Sequence, residues 1–232
     1  MATHRAVVEK MLDLAKTFEA KQDNRTIFLY CYSMMTDNML LAIEQERFKD
    51  NAWVERLLHR FAEYYFEALT CYDCGAETPA VWHAVHVAAS TKKLHVIQHL
   101  LLGVNAHINY DLVLSLYDVL AEDWNNMTDE MRDLRYQDHC LVNEIIGNTI
   151  DKVQDEVVER FSPMMNVIDR IMGRLDEMII LKMISEWRDS VWHHTQEMLV
   201  ITQEEERNRF RNDLERKVLK RADWLDTQFR II

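Results

Sequence analysis

Glycine and proline are nearly absent, with 4 Gly and 2 Pro in 232 residues. Sheet proteins need many tight turns, and tight turns draw on Gly and Pro. Their scarcity argues against a sheet protein and for long helices with few connections. Positive charge is also short: 27 Lys+Arg stand against 39 Asp+Glu, a net of −12. A chain this acidic repels phosphate backbones, and no basic tract offers an exception, so no nucleic-acid partner is expected. No run of about 18 apolar residues occurs, so no membrane span is expected. The apolar stretch 96–104 is bracketed by His95 and Asn105 and interrupted by His99. No apolar leader is visible, and the four cysteines (Cys31, Cys71, Cys74 and Cys140) therefore read as free thiols of a cytoplasmic protein. Cys71-Tyr-Asp-Cys74 is a single CxxC; a zinc ribbon needs two, and a thioredoxin-type site needs a βαβ setting. A phosphate-cradling Gly-rich loop, a Gly-x-Ser-x-Gly elbow and the Glu-x-x-His signature of diiron bundles are likewise missing.

What remains is a chain with 48% hydrophobic residues, enough for one large domain with a buried core. The pattern predicts an all-α, single-domain bundle of eight or nine helices over residues 1–232. Val7, Val8, Met11, Leu14, Ala15 and Phe18 recur at helical spacing and predict a helix over about 4–21. Further helices are expected over about 26–47 and 52–72. Thr78-Pro79, a cap followed by a proline at the first turn, starts a helix or broken helix to about Gly103. Others are expected over about 107–122, 128–160, 163–202 (opened by Ser162-Pro163) and 204–227. The last is dense in charge of both signs and reads as a solvated, ion-paired helix, or else as a partner-binding one. Met34, Met35 and Met39, with Met164, Met165, Met172, Met178 and Met183, read as core filling.

Ten histidines occur, five of them between residues 83 and 107. His107 and Asp111 stand at i,i+4 and so share one helix face. His99 lies eight residues before His107, a rotation of roughly 80°, so His99, His107 and Asp111 fall on one side of a continuous helix, with Gly103 in the same stripe. Nitrogen plus carboxylate oxygen suits Zn²⁺ or a similar divalent ion. Asn105 and Asn109 flank His107 and are candidates for orienting ligands or substrate, although a regular helix would carry Asn109 away from the His107 face. Trp192-His193-His194-Thr195-Gln196-Glu197 offers a second i,i+4 pair, His193 with Glu197. Asp37, beside Asn38 on the second helix, is a candidate catalytic carboxylate facing a pocket. His83 and His86 point to the opposite side of an ideal helix from His95 and His99. Each of these residues also has a plain structural reading, as a core polar group satisfied by hydrogen bonds.

Gly103-Val-Asn105-Ala-His107-Ile-Asn109-Tyr-Asp111-Leu112, preceded by Gln98-His99-Leu-Leu-Leu, resembles the signature of an uncharacterised bacterial all-helical family of unknown function. Phe61-Ala-Glu-Tyr-Tyr65-Phe66-Glu-Ala68-Leu69 resembles its upstream aromatic block, and Pro79-Ala-Val-Trp82 and Asp189-Ser-Val-Trp192 resemble weaker blocks. The resemblance implies a helical fold and a functional role for His99, Asn105, His107, Asn109 and Asp111, and no activity. The His-x-x-x-Asp and His-x-x-x-Glu pairs are also similar to those of the helical zinc phospholipase C and P1-type nuclease group, although here they lie farther apart.

The expectation is a metal-dependent hydrolase of a small molecule or ester. His99, His107 and Asp111 would hold zinc, with His193 and Glu197 completing the site and Asn105, Asn109 and Asp37 assisting catalysis. A metal-free enzyme or small-molecule binder using the same pocket, and a helical scaffold, are the alternatives. The expected partner is a small-molecule substrate, with a second copy of the chain in a homo-oligomer.

Overall fold

A computed structural model describes residues 5–91, 93–153, 156, 157, 159–161 and 169–228. The expected helix start at Ser162-Pro163, together with Met164 and Met165, lies outside these residues, as does the Met172 side chain. The elements are α1 (Ala6–Ala20), α2 (Arg25–Glu44), α3 (Asn51–Asp73), α4 (Ala80–Thr91), α5 (Val96–Ala106), a π-helical turn (His107–Asp111), α6 (Leu112–Leu120), α7 (Asp129–Val153), the single turn α8 (Glu159–Phe161), α9 (Asp169–Val200) and α10 (Glu204–Gln228). A short 3₁₀ turn, Trp124–Asn126, precedes α7. The described residues contain no strand. Because α5, the π turn and α6 run on without a break, the described residues comprise eight helices plus the α8 turn.

Local chemistry explains where helices begin and end. Asp50 caps α3 by accepting from the Trp53 amide at 2.9 Å. With so few glycines, two helix ends use polar residues in the left-handed region, Gln22 (φ 55°) after α1 and Glu46 (φ 53°) after α2. Gly75 (φ 71°) does the same after α3 without strain.

The helix or broken helix expected over about 79–103 is two helices, one ending at Thr91 and the next beginning at Val96, and the second does not stop at Gly103. His95 caps α5: its Nδ1 accepts from the Ile97 amide at 3.4 Å, and Gln98 Oε1 accepts from the His95 amide at 2.9 Å. Gly103 has another purpose. A Cβ there would stand 2.5 Å from the Phe28 ring of α2, so its missing side chain lets α2 and α5 close up.

One apolar cluster runs from Met11 and Phe18 in α1 to Leu214, Val218 and Leu225 in α10. The charged C-terminal helix is therefore amphipathic, and it packs on α4 and α5. No helix among the described residues is long and apolar enough to cross a membrane.

Candidate functional site

The helix from Val96 to Leu120 passes through the interior, and its middle widens into the π turn His107–Asp111, closed by the Leu112 amide donating to His107 O. Single π turns inside α-helices concentrate at functional sites. Four polar side chains here are buried: Asn105 is 1% exposed, His107 3%, Asn109 4% and Asp111 1%.

They form two separate networks. Asn109 Nδ2 donates to Asn105 Oδ1 at 3.2 Å, and Asn105 Nδ2 donates to Val218 O at 3.0 Å. The Asn pair ties α5 to α10 and, among the described residues, hydrogen-bonds with neither His107 nor Asp111. The second network is a chain. Trp82 Nε1, from α4, donates to Asp111 at 2.9 and 3.1 Å. Asp111 Oδ2 in turn lies 2.9 Å from His107 Nδ1. Asp111 is thus fully engaged in fixing the imidazole. His107 Nε2, at the far end, is buried with no partner among the described residues. Phe61 lies flat on the imidazole, centroids 3.5 Å apart and planes 9° apart. Tyr32 closes in edgewise at 4.3 Å.

Burial governs the charge of this chain. It pushes His107 well below the usual histidine range and Asp111 well above the usual carboxylate range, the latter opposed by the Trp82 hydrogen bond. In the uncharged pair, Asp111 donates its proton to Nδ1 and Nε2 carries the ring N–H as a donor. Once Asp111 ionises, Nδ1–H donates to the carboxylate and Nε2 becomes a bare acceptor. Either way the polar atom of this chain left without a partner among the described residues is Nε2.

His107 also lines a cavity of about 230 Å³. Most of its wall is apolar and comes from α2, α3, α5 and α7, including Met35, Leu57, Phe61, Leu101 and Val142. Cys31, on the same wall, has its thiol pushed up to about 12 by burial. Three further residues with titratable side chains, Asp138, His139 and Arg188, also line it. Sequence reasoning missed all three. They sit in helices of mixed charge, where nothing in the spacing separates a buried cation from a solvated one. Trp82 was visible only as one residue of a weak block, without its role.

The other expected site residues lie elsewhere. His99 is buried, with burial and neighbouring His95 holding it down to about 4. It shares a helix side with His107, but eight residues advance the chain about 12 Å along the axis, too far to share an ion whose ligand bonds are about 2 Å. His193 is exposed, and its nearest carboxylate is Asp189 at 3.8 Å, rather than Glu197. Asp37 is half-buried on α2 and does not line the cavity, while its neighbour Asn38 donates to Thr149 Oγ1 at 2.8 Å. Among the described residues, no three His, Cys, Asp or Glu side chains stand as a group able to hold a metal ion. His86 is buried with both ring nitrogens unpartnered among those residues, and burial lowers it to about 4. It stacks on Trp82 at 5.5 Å.

These features define an all-helical protein with a buried Trp–Asp–His chain on a π turn at the wall of an apolar cavity. Residues 4–228 match the model of a family of unknown function, DUF5995, and the chain belongs to that family. No curated protein and no solved structure matches it.

Proposed function

We propose that this protein binds a small, largely apolar organic molecule in the cavity, a shift of the His107 ring bringing Nε2, which is closed off from the cavity in this structure, to it as the polar contact. The supporting observation is that buried, partnerless nitrogen on a residue of the cavity wall. A buried polar atom without a partner costs about 1–3 kcal/mol, and a ligand that meets it recovers that cost. Apolar walls with a few converging polar groups are the usual form of a small-molecule site. The chain Trp82–Asp111–His107 also holds the imidazole as a general acid–base catalyst is held, so proton transfer at the ligand's polar group is the chemistry open to it.

The test is calorimetric titration of the purified full chain with a panel of mono- and bicyclic and medium-chain compounds. Binding by the parent and a loss of about tenfold in His107→Ala, the worth of one buried hydrogen bond, are expected. An unchanged affinity in a folded variant overturns the reading.

A second reading keeps the metal. A ligating histidine usually gives its other nitrogen to a carboxylate, as His107 does. Zinc-assisted hydrolysis at Nε2 would need ligands beyond this one donor. Elemental analysis of the purified protein tests this reading, and substoichiometric zinc, unchanged after adding zinc, removes it.

A further inference from the structure

Arg188 is not used by the site described so far. It sits on α9, 5% exposed, on the wall of the same cavity. Its partners among the described residues are all uncharged. Nε donates to Asn143 Oδ1 at 2.8 Å, and Nη2 donates to His139 O at 2.7 Å. Nη2 also lies 3.4 Å from His139 Nδ1. His139 Nε2 stands 2.9 Å from Arg188 O. With Nε2–H donating there, bare Nδ1 accepts from the guanidinium, and His139 adds no negative charge. No carboxylate of the described residues forms an ion pair with Arg188. Asp138, on the same wall, is taken up elsewhere: its oxygens accept from the Lys49 and Asp50 amides at 2.7 and 2.9 Å. Nη1 has no hydrogen-bond partner among the described residues. Burial lowers Arg188 to about 10, which leaves it a cation at neutral pH.

A buried guanidinium without a carboxylate is costly, because the desolvation of the charge is not offset by an opposite one. A guanidinium fork matches a carboxylate better than any other small anion-bearing group except phosphate. Most of the remaining wall is apolar, and about 230 Å³ suits a compact hydrocarbon body, since an apolar cavity of about 150 Å³ already takes benzene.

We propose that the natural occupant of the cavity is a hydrophobic carboxylic acid, its carboxylate paired with Arg188 and its hydrocarbon body filling the chamber. This rests on the small-molecule reading above and adds a carboxylate at Arg188 to the polar group that meets His107 Nε2, so it specifies the class of molecule. Alkanoic and aromatic acids share the required chemistry. Their relative affinities distinguish a chain-shaped from a ring-shaped chamber.

The test compares three ligands of similar size on the full chain by titration calorimetry: decanoate, 1-decanol and 2-naphthoate. At least one of the two acids is expected to bind about tenfold or more tightly than decanol, the scale of one charge-assisted hydrogen-bonded pair. In Arg188→Met that preference is expected to vanish while decanol binding persists. Arg188→Lys keeps the charge without the fork and should retain part of the preference. If decanol binds as well as both acids, the assignment to Arg188 is overturned and the small-molecule reading stands. If none of the three binds, both fall. Should Arg188→Met fail to fold, Arg188→Lys carries the test in its place, and an undiminished acid preference there overturns the assignment to the guanidinium fork.

Discussion

Two residues show how much a single side chain, or its absence, controls here. Gly103 is needed because Phe28 occupies the space of a Cβ, and Phe28 side-chain atoms at 2.5–2.9 Å cannot be accommodated by a small shift. Gly103→Ala is therefore expected to destabilise the fold by about 1–3 kcal/mol through overpacking, despite the better helix propensity of alanine. Chemical denaturation measures it, and a neutral or stabilising result would show that α2 and α5 can move apart. At Asp111 the prediction concerns proton position. Asp111→Asn can still accept from Trp82, but its amide must donate to His107 Nδ1, which fixes the hydrogen on Nε2. The variant should fold, and ¹⁵N NMR should show an Nε2–H imidazole at every pH where the protein is native. In the parent, the same signal should give way to the Nδ1–H form as pH rises through the elevated pKa of Asp111.

At the scale of elements, the shortage of glycine leaves a readable cost. Gln22 and Glu46 end α1 and α2 in the left-handed region, where a side chain is disfavoured and glycine is not. Glu46→Gly should raise stability by about 0.5–1 kcal/mol, the strain relieved less the extra freedom of the unfolded chain. A fall in thermal midpoint would mean that the Glu46 side chain makes contacts that outweigh its backbone strain. The π turn is the other lesson at this scale. Ideal α geometry placed Asn109 away from His107, and the two do remain in different networks. The same geometry counted only rotation for His99 and so grouped residues separated along the axis.

For the whole molecule, buried neutral histidines set the acid limit. Burial holds His86 and His99 down to about 4 and pushes His107 and His139 well below their ordinary value. Unfolding exposes each to its ordinary value of about 6.5, so the unfolded chain binds more protons. Stability is fully present above about pH 6.5 and is lost as pH falls from there through about 4. A shift of this size corresponds to a few kcal/mol per histidine at most. Asp111 acts in the opposite sense: its raised value contributes stability below the ordinary carboxylate range and loses it as pH rises through the folded value. Thermal unfolding followed by circular dichroism should give a markedly lower midpoint at pH 5 than at pH 7. A flat profile would mean that these histidines are hydrated in the native state.

Fold class was determined by the sequence alone. Scarce Gly and Pro and apolar residues at intervals of three and four leave little besides helices, and those signals are local, so their reading needs no knowledge of neighbours. The i,i+4 pairing of His107 with Asp111 was legible for the same reason. What surrounds the pair was not. Trp82 reaches Asp111 across 29 positions of sequence, Phe61 comes from α3, and Arg188 enters the cavity wall from α9. Burial, hydrogen-bond closure and the meeting of an apolar chamber with one free nitrogen and one uncompensated cation are properties of packed helices. They depend on contacts between segments distant in sequence, and only the tertiary structure decides which of many plausible polar residues are turned inward and left without partners.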